Sequence, residues 1–334
     1  MPTKPRVTFA DDFYRFQWEE EQVEMVIERL SERRGSGLVG ELTVSTSAPP
    51  QPGVLYPGKN WNLNTSNAPV AKELGERLPV DWKGMLDQAS AIAKERYREG
   101  EPLIDLGGPR EQQHGPRFIL PGLIERSGPT TWFADGGSGK SMLGLAAAVS
   151  IATGIPVLGV EPLRTCPVVY LDWETDRQTF EERVDAIWRG LGETVPFPPG
   201  LIYYREQVAS LAESAPTLRR KLAETGAGLT VCDSVGMARG SDPNEGEGTI
   251  RYFNAARSLR MPSLHIDHVS KEEMRKKGGP TQQVGNRYSH NASRLSWGIT
   301  SQQDEGSDEI VAAMRCVKGS NVGKQRNRGY RITF

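Results

Sequence analysis

Cysteine is scarce in this chain of 334 residues. The three cysteines, Cys166, Cys232 and Cys316, lie far apart, and no two of them have the C-x-x-C spacing. Two of them stand in apolar runs that are typical of strands, which favours buried, reduced thiols. The sequence therefore argues against a disulfide framework and against a cysteine-based zinc site.

Long hydrophobic runs are also absent. The first twenty residues lack the apolar core of a secretion signal, and the most apolar stretch, residues 143–160, is interrupted by Gly154 and Pro156. With 25% charged and 37% hydrophobic residues, the composition is that of a soluble globular chain long enough for about two domains. We therefore expect no membrane contact and a cytoplasmic location, which is the host cytoplasm if the protein is viral.

Charge of either sign is nearly balanced, with a formal net charge of −1, but it is unevenly distributed. Residues 251–334 contain 15 Lys and Arg against 7 Asp and Glu, an excess of +8, so the rest of the chain carries −9. The C-terminal quarter is the basic part of the chain, and contacts with a polyanion are expected there.

The most informative segment runs from Ala134 to Ser141 and reads A-D-G-G-S-G-K-S. It fits the A/G-x-x-x-x-G-K-S/T pattern of a phosphate-binding loop, in which backbone N–H groups surround the phosphates of a nucleotide. Lys140 is expected to reach the β- and γ-phosphates, and the Ser141 hydroxyl to bind Mg²⁺. The predicted cofactors are therefore ATP and Mg²⁺. The expected nucleotide-binding residues are Ala134, Asp135, Gly136, Gly137, Ser138, Gly139, Lys140, Ser141 and Met142.

The hydrophobic patterns divide the chain into a small α/β module at residues 1–100, a Gly- and Pro-rich linker at 101–117 and an ATPase domain at 118–334. No catalytic constellation is visible in the first module, for which oligomer contacts or partner binding are the expected roles. Its predicted elements are a strand at Leu38–Ser45 and helices at Gln22–Glu32, Ala68–Arg77 and Trp82–Arg98.

Four short apolar runs in the second domain alternate with helical segments, and each run is followed by a polar turn. This pattern predicts an α/β fold with a mainly parallel sheet and helices on both faces. Ligands of such sheets bind at the carboxyl ends of the strands, so the chemistry is expected directly after each run. The predicted strands are Thr130–Phe133, Val168–Leu171, Leu229–Cys232 and Ser263–Ile266.

Acidic residues follow three of these strands, and those after the second and third are candidates for the chemistry. Asp233 fits a Walker B aspartate, which holds Mg²⁺ beside Ser141, usually through water. Many ATPases place a Glu directly after that Asp, but here the position is Ser234, so the group that orients the attacking water must come from elsewhere. The candidates for this catalytic base are Glu174, the first choice, and its neighbours Asp172 and Asp176.

His268, one of four histidines in the chain, follows the fourth strand. From that position it is expected to hydrogen-bond the γ-phosphate and to sense its loss. Two alternatives stay open: a purely structural histidine, and a metal pair, since His265 and Asp267 are close in sequence.

These elements, in this order, resemble the RecA/DnaB branch of the P-loop ATPases, and above all the RepA-like hexameric helicases of plasmids and phages. The resemblance covers residues 118–334 and begins with the lead-in Leu120–Ile124. In that family a Glu on the strand after the P-loop is the catalytic base, an Asp-Ser/Thr pair is the Walker B element, and a His-x-x-Lys element follows the next strand. The matching positions here are Glu174, Asp233-Ser234 and His268 to Lys271.

The family ends in a strand with a Lys-x-x-Asn or Lys-x-Arg element, which reaches the γ-phosphate of the neighbouring subunit as an arginine finger does. Two segments fit, 318–321 and 324–326, so Lys318, Lys324 and Arg326 all stay open as the catalytic cation. The resemblance implies a homo-oligomer, either a hexameric ring or a helical filament, with ATP at the subunit interfaces.

Two loops are candidates for contact with single-stranded DNA. The first spans residues 236–248. The second spans residues 271–290 and is basic and Gly-rich with one aromatic residue, which suits binding of the DNA backbone without sequence preference. The expected DNA-binding residues are Lys271, Arg275, Lys276, Lys277 and Arg287 in the second loop and Arg239 in the first.

The sequence therefore predicts an ATP-dependent, single-stranded-DNA-binding RecA-like motor of the replicative helicase kind found in phages and plasmids. A recombinase that forms filaments for strand exchange has the same fold and a different task. A regulatory or assembly ATPase that acts on proteins is the second alternative, with the N-terminal module as adaptor.

Overall fold

The computed structural model describes residues 2–10, 13–49, 52–100, 103, 105, 107, 117–242, 245–269, 280 and 287–334. The chain forms two compact units, Met1–Glu111 and Gln112–Phe334. Most of the predicted linker at 101–117 lies outside the described residues.

The first unit is an antiparallel five-stranded sheet, in which each strand pairs with the next along the chain, followed by two helices. Its core contains the fully buried Trp18, Met25 and Trp82. The two helices confirm the predictions for this region to within two residues. The elements are β1 (Arg6–Ala10), β2 (Phe13–Trp18), β3 (Val23–Arg33), β4 (Gly37–Thr46), β5 (Gly53–Asn62), α1 (Ala68–Gly75) and α2 (Trp82–Glu99).

The predicted helix at Gln22–Glu32 is wrong, because this segment is strand β3. Val23, Met25 and Ile27 are buried while the residues between them are partly exposed, which is the two-residue period of a strand. Glu24 and Glu28 are four residues apart, a spacing that also fits the polar face of a helix. The apolar side chains decide the structure, since all three of them reach the core only in the extended conformation.

The second unit is built on an eight-stranded sheet and a separate two-stranded hairpin. The hairpin consists of β6 (Phe118–Leu120) and β7 (Ile124–Glu125). The strands of the large sheet are β8 (Pro129–Ala134), β9 (Val168–Asp172), β10 (Ile202–Glu206), β11 (Leu229–Asp233), β12 (Ser263–His268), β13 (Leu295–Gln302), β14 (Glu309–Gly319) and β15 (Arg328–Thr333).

The strand order of the large sheet is β10-β9-β11-β12-β8-β13-β14-β15. The first six strands in this order are parallel, and β14 and β15 are antiparallel to their neighbours. The α/β class, the mainly parallel sheet and the four predicted strands are thus confirmed. Strand β8, which leads into the P-loop, has β12, β11 and β9 on one side and β13, β14 and β15 on the other.

Helices cover both faces of this sheet. Along β9, Val168 and Tyr170 belong to one core cluster with α3 and α4, whereas Val169 and Leu171 belong to another with α5 and α7. This alternation explains why the strand is apolar at every position before Asp172. The helices are α3 (Lys140–Thr153), α4 (Arg177–Gly190), α5 (Leu211–Thr225), α6 (Val235–Ala238), α7 (Gly246–Ser258) and α8 (Arg287–Ala292).

Helix length and polarity bear on membrane insertion. Among the described residues, no helix combines the length and the apolar character needed to cross a bilayer.

Candidate active site

The P-loop connects buried strand β8 to helix α3 and turns through two glycines. Gly137 and Gly139 have φ angles of +71° and +77°, in the left-handed region that side chains with a Cβ rarely adopt. A Cβ placed on Gly136 or Gly137 would meet no other atom within 4 Å, so this side of the loop faces open space. The loop is therefore shaped to bring backbone N–H groups close to a ligand.

Helix α3 begins at Lys140 without a side-chain cap. The N–H groups of its first turn are therefore available to an anion, which the helix dipole also favours. Lys140 is largely buried, and its Nζ lies 3.5 Å from the Asp135 carbonyl oxygen, a distance too long for a strong hydrogen bond. The ammonium group can thus exchange this weak contact for a hydrogen bond to a phosphate at little cost in free energy.

Two of the three carboxylates at the end of β9 and in the following turn have structural roles. Asp172 is buried, and its Oδ1 accepts hydrogen bonds from the N–H groups of Glu174 at 2.8 Å and Thr175 at 3.0 Å. Asp176 caps α4 and accepts from the Thr179 N–H at 2.9 Å. Glu174 is the third carboxylate, and its side chain lines the cavity. Its backbone is held in place by the hydrogen bond from its N–H to Asp172.

The Glu174 carboxylate is held by groups from two other strand ends. Its Oε1 accepts a hydrogen bond from the Ser234 hydroxyl, after β11, and lies 2.9 Å from His268 Nε2, at the end of β12. The hydrogen bond with His268, followed by that with Ser234 and the nearby charge of Lys140, lowers the pKa of Glu174 to about 2. The structure therefore brings Glu174 and His268 together, beside the P-loop lysine.

Asp233 is buried at the end of β11, with one oxygen bound and one without a partner. Its Oδ2 accepts a hydrogen bond of 2.7 Å from the Tyr170 hydroxyl, and its buried Oδ1 has no hydrogen-bond partner among the described residues. Burial raises the pKa of Asp233 to about 6. A buried carboxylate oxygen of this kind fits a Mg²⁺ ion or its bound water, with Ser141 as the second protein ligand.

Tyr170 was not found by sequence reasoning, although one signal was present. A tyrosine in an otherwise aliphatic buried strand needs a partner for its hydroxyl group. The partner is Asp233 on the neighbouring strand, because β9 and β11 pair with Asp172 opposite Asp233.

His265 lies on the other side of β12 from His268. It is fully buried, with Nδ1 2.6 Å from the Tyr252 hydroxyl and Nε2 2.8 Å from the Ser263 hydroxyl. Both ring nitrogens are thereby occupied, and within the described part of the chain no cluster of His, Cys, Asp and Glu is suited to a metal ion. The alternative of a metal pair at His265 and Asp267 has no support in this geometry.

Arg239, expected to bind DNA, is buried at the end of α6 and only 4% exposed. Its charge lowers the pKa of buried Asp267, although burial, the larger effect, raises that pKa to about 6. Both ends of the predicted loop 236–248 are helical, since α6 ends at Ala238 and α7 begins at Gly246. Arg239 is therefore an interior residue in this structure and has almost no surface for a DNA backbone.

The other expected DNA contacts cannot be placed in the same way. Arg287 is the first residue of α8. Lys271, Arg275, Lys276 and Lys277 lie outside the described residues, so their role stays a prediction.

The three candidate cations near the C-terminus occupy different surroundings. Lys318, on β14, donates hydrogen bonds to the carbonyl oxygens of His290 at 2.6 Å and Asn291 at 3.2 Å, so it binds the C-terminal end of α8 in its own chain. Lys324 and Arg326 are exposed in the turn between β14 and β15. The geometry thus favours these two over Lys318 for contact with another subunit.

A cavity of about 550 Å³ joins these features. On one side it is bounded by the P-loop, Glu174 and His268, and on another by side chains of α4, including Arg183. Sequence reasoning missed the α4 residues and two apolar residues near the C-terminal end of the sheet, one on β14 and one directly after β15. The lining residues outside the predicted set are Thr179, Glu182, Arg183, Ala186, Ile310 and Phe334.

Comparison with known proteins gives a family match and a similar solved structure. Residues 98–274, just over half of the chain, match the family model of the AAA domain, and this range contains the P-loop, Glu174, Asp233 and His268. No curated protein matches the sequence significantly. One matching solved structure is a KaiC-like protein of the hyperthermophilic archaeon Pyrococcus horikoshii OT3, with 11% identity and a TM-score of 0.44 over 64% of this chain and 88% of that one. The resemblance to RepA-like helicases stays a prediction. The chain belongs to the AAA domain family and is a P-loop ATPase of the RecA type.

Proposed function

We propose that this ATPase is a motor that moves along single-stranded DNA, of the replicative helicase kind, and that it hydrolyses ATP at the interfaces of a homo-oligomer. The observation that carries the proposal is the 2.9 Å hydrogen bond between Glu174 and His268. It connects the carboxylate expected to act on the attacking water with a residue three positions before Lys271, where the basic segment begins. A change at the γ-phosphate can therefore reach the expected DNA contacts through this hydrogen bond and the three residues of backbone from His268 to Lys271.

Hydrolysis requires a water in line with the γ-phosphate and positive charge around the transferred phosphoryl group. Lys140 and the N–H groups at the start of α3 supply that charge from within the chain. Bound Mg²⁺ would add charge neutralisation between the β- and γ-phosphates. The hydrogen bond with His268 lowers the pKa of Glu174 to about 2, and the ionised carboxylate is suited to orient and polarise the attacking water.

Replacement of Glu174 by Gln separates binding from turnover. The amide keeps the size of the side chain and loses the charge, so we expect ATP to bind while kcat falls by at least about 100-fold. Nucleotide binding by calorimetry and phosphate release measure the two effects. Glu182→Gln, an exposed carboxylate on the same cavity, is the matched control and should retain activity. Full activity in Glu174→Gln would remove Glu174 from the mechanism.

The proposal as a whole is tested by ATP hydrolysis with and without single-stranded DNA, with Lys140→Ala as the blank. We expect DNA to stimulate hydrolysis, and the stimulation to weaken as salt is raised because backbone contacts release counterions. A rate indifferent to DNA would overturn the DNA assignment and favour the ATPase that acts on proteins.

If DNA stimulates hydrolysis, unwinding of a forked duplex separates the two DNA functions. Strand release at the fork supports the helicase. Strand exchange between homologous DNAs without unwinding would instead identify a recombinase.

A further inference from the structure

The nucleotide cavity has two chemically different flanks, on opposite sides of β8. The acidic and basic side chains at Glu174 and His268 come from β9 and β12, which lie on one side of β8 in the sheet order. Ile310 and Phe334 also line the cavity, but they belong to β14 and to the residue after β15, on the other side. The P-loop lies between a polar flank and an apolar flank.

The apolar flank is in direct contact with the P-loop. Ile310 and Ile332 are paired across β14 and β15, and Ile310 is almost fully buried. A Cβ on Gly139 would lie 2.6 Å from Ile332 Cδ1, so the isoleucine packs against the turn that begins α3. This close approach fixes the distance between the two strands and the phosphate-binding backbone.

Phe334 extends this flank and is the exposed part of it. Its backbone N–H donates a hydrogen bond of 2.9 Å to the Asp308 carbonyl oxygen, which ties it to the start of β14. Its side chain is nevertheless 65% exposed while it borders the cavity. An aromatic ring in this position offers an open face at the rim of a site that binds phosphates at its centre.

We propose that the exposed Phe334 ring holds the nucleobase by stacking, at the rim of a flank whose buried side is formed by Ile310. This inference rests on ATP being the ligand of the P-loop. The triphosphate occupies the loop with its γ end toward Glu174, so the base, at the other end of the molecule, has the apolar flank available to it. A π-face against an aromatic ring is favourable and tolerates any base, because it reads no hydrogen-bonding edge.

The test compares MgATP with Mg-tripolyphosphate, which has the same three phosphates and no base. Calorimetry on the full chain should give Phe334→Ala about tenfold weaker binding of MgATP, from the loss of one base–aromatic stack. Binding of tripolyphosphate should be unchanged. Phe334→Trp should keep the MgATP affinity of the unmodified protein. Thr333→Ala changes an exposed neighbour on β15 that does not line the cavity, and it should leave the affinity for both ligands unchanged.

Lys140→Ala separates failure of this inference from failure of nucleotide binding itself. It should weaken both ligands, because it removes a phosphate contact. Equal affinity of Phe334→Ala and the unmodified protein for MgATP would overturn the base assignment, as would an equal loss for MgATP and tripolyphosphate. If Lys140→Ala changes the affinity for neither ligand, the P-loop is not the binding site. The premise that ATP binds there then fails as well.

Discussion

The hydroxyl of Tyr170 determines which oxygen of the Asp233 carboxylate is free. It binds Oδ2, and the buried Oδ1 is the oxygen without a hydrogen-bond partner among the described residues, as a ligand of Mg²⁺ or its bound water would be. It also stabilises the ionised form of the carboxylate, against the burial that raises the pKa of Asp233 to about 6. Hydrogen bonds from neighbouring side chains orient the ligands of a metal ion, and Tyr170 is placed to do this for Asp233.

Tyr170→Phe removes this one hydrogen bond and keeps the ring. We expect the Mg²⁺ concentration at half-maximal ATPase activity to rise about fivefold, equivalent to the loss of about 1 kcal/mol. A Mg²⁺ titration at fixed ATP measures it. Tyr252→Phe, which removes a buried hydroxyl bonded to His265 instead, is the control and should leave the Mg²⁺ dependence unchanged. Identical titrations for the two variants would contradict the assignment.

His265 makes folding sensitive to acid. Burial lowers its pKa to about 3, whereas an exposed histidine in the unfolded chain has a pKa of about 6.5. Below pH 6.5 the unfolded state therefore binds a proton that the folded state does not, and stability falls as pH falls. Buried Asp233 and Asp267, with pKa values of about 6, act in the opposite direction, because the folded state is the one that holds their protons.

The contribution of His265 is isolated by comparison with His265→Gln. The stability advantage of the unmodified protein over this variant should shrink by about 2 kcal/mol between pH 7.5 and pH 5, since only the histidine takes up a proton on unfolding. Urea unfolding of both proteins at the two pH values gives the difference. A difference independent of pH would mean that His265 is protonated in the folded state.

At the scale of elements, helix α8 depends on a side chain from a distant strand. Its last turn has carbonyl groups without partners in the helix, and Lys318 of β14 binds two of them. The ammonium group also complements the negative end of the helix dipole. Lys318 is thus an element of the fold, and the resemblance that made it a catalytic candidate did not reveal this role.

Lys318→Met keeps the apolar stem and removes both hydrogen bonds. We expect a loss of about 1 kcal/mol in the free energy of unfolding. Lys324→Met and Arg326→Met, at exposed positions, should leave stability unchanged. Chemical denaturation of the three variants measures this. If Lys318→Met retains full stability and loses ATPase activity, Lys318 is a catalytic cation after all.

The correctly predicted parallel strands and the wrongly predicted strand β3 differ in how many of their faces are buried. The buried parallel strands are continuous apolar runs bounded by turns, so their type follows from the sequence alone. Strand β3 has a buried apolar face and a mixed face, and its Glu residues at four-residue spacing also fit a helix. The choice there depends on what the segment packs against, which is tertiary information.

The same distinction applies to the site. The P-loop, Glu174, Asp233 and His268 each follow an apolar run, and the parallel sheet brings such positions to one edge. Arg239 was expected to bind DNA as part of the loop 236–248, but it is buried, and its charge acts on Asp267. Ile310 and Phe334 line the cavity because β14 and β15 lie on the β13 side of β8 in the sheet. This strand order cannot be read from any local sequence pattern.

At the scale of the whole molecule, an active site shared between subunits can be tested by mixing variants. Glu174→Gln lacks the residue expected to act within its own subunit, and Arg326→Met lacks a cation expected to act on the neighbour. Each should be inactive alone, and a 1:1 mixture should recover activity at about a quarter of its sites, where both intact residues meet.

Phosphate release from premixed and separately assayed proteins measures this recovery. If Arg326→Met is active by itself, Lys324→Met takes its place in the same design. Mixtures that stay inactive with both cation variants would contradict a shared site.

The Glu174 carboxylate ties together the ends of β9, β11 and β12 through Ser234 and His268. Such a link acts in both directions, because the coupling free energy between two events is the same whichever comes first. If loss of the γ-phosphate shifts the chain after β12, a force that pulls on that chain must also change how firmly the γ-phosphate is held. Under the proposed function, the turnover would then depend on mechanical load, and tension in a DNA strand held after β12 would regulate it without contact with the nucleotide.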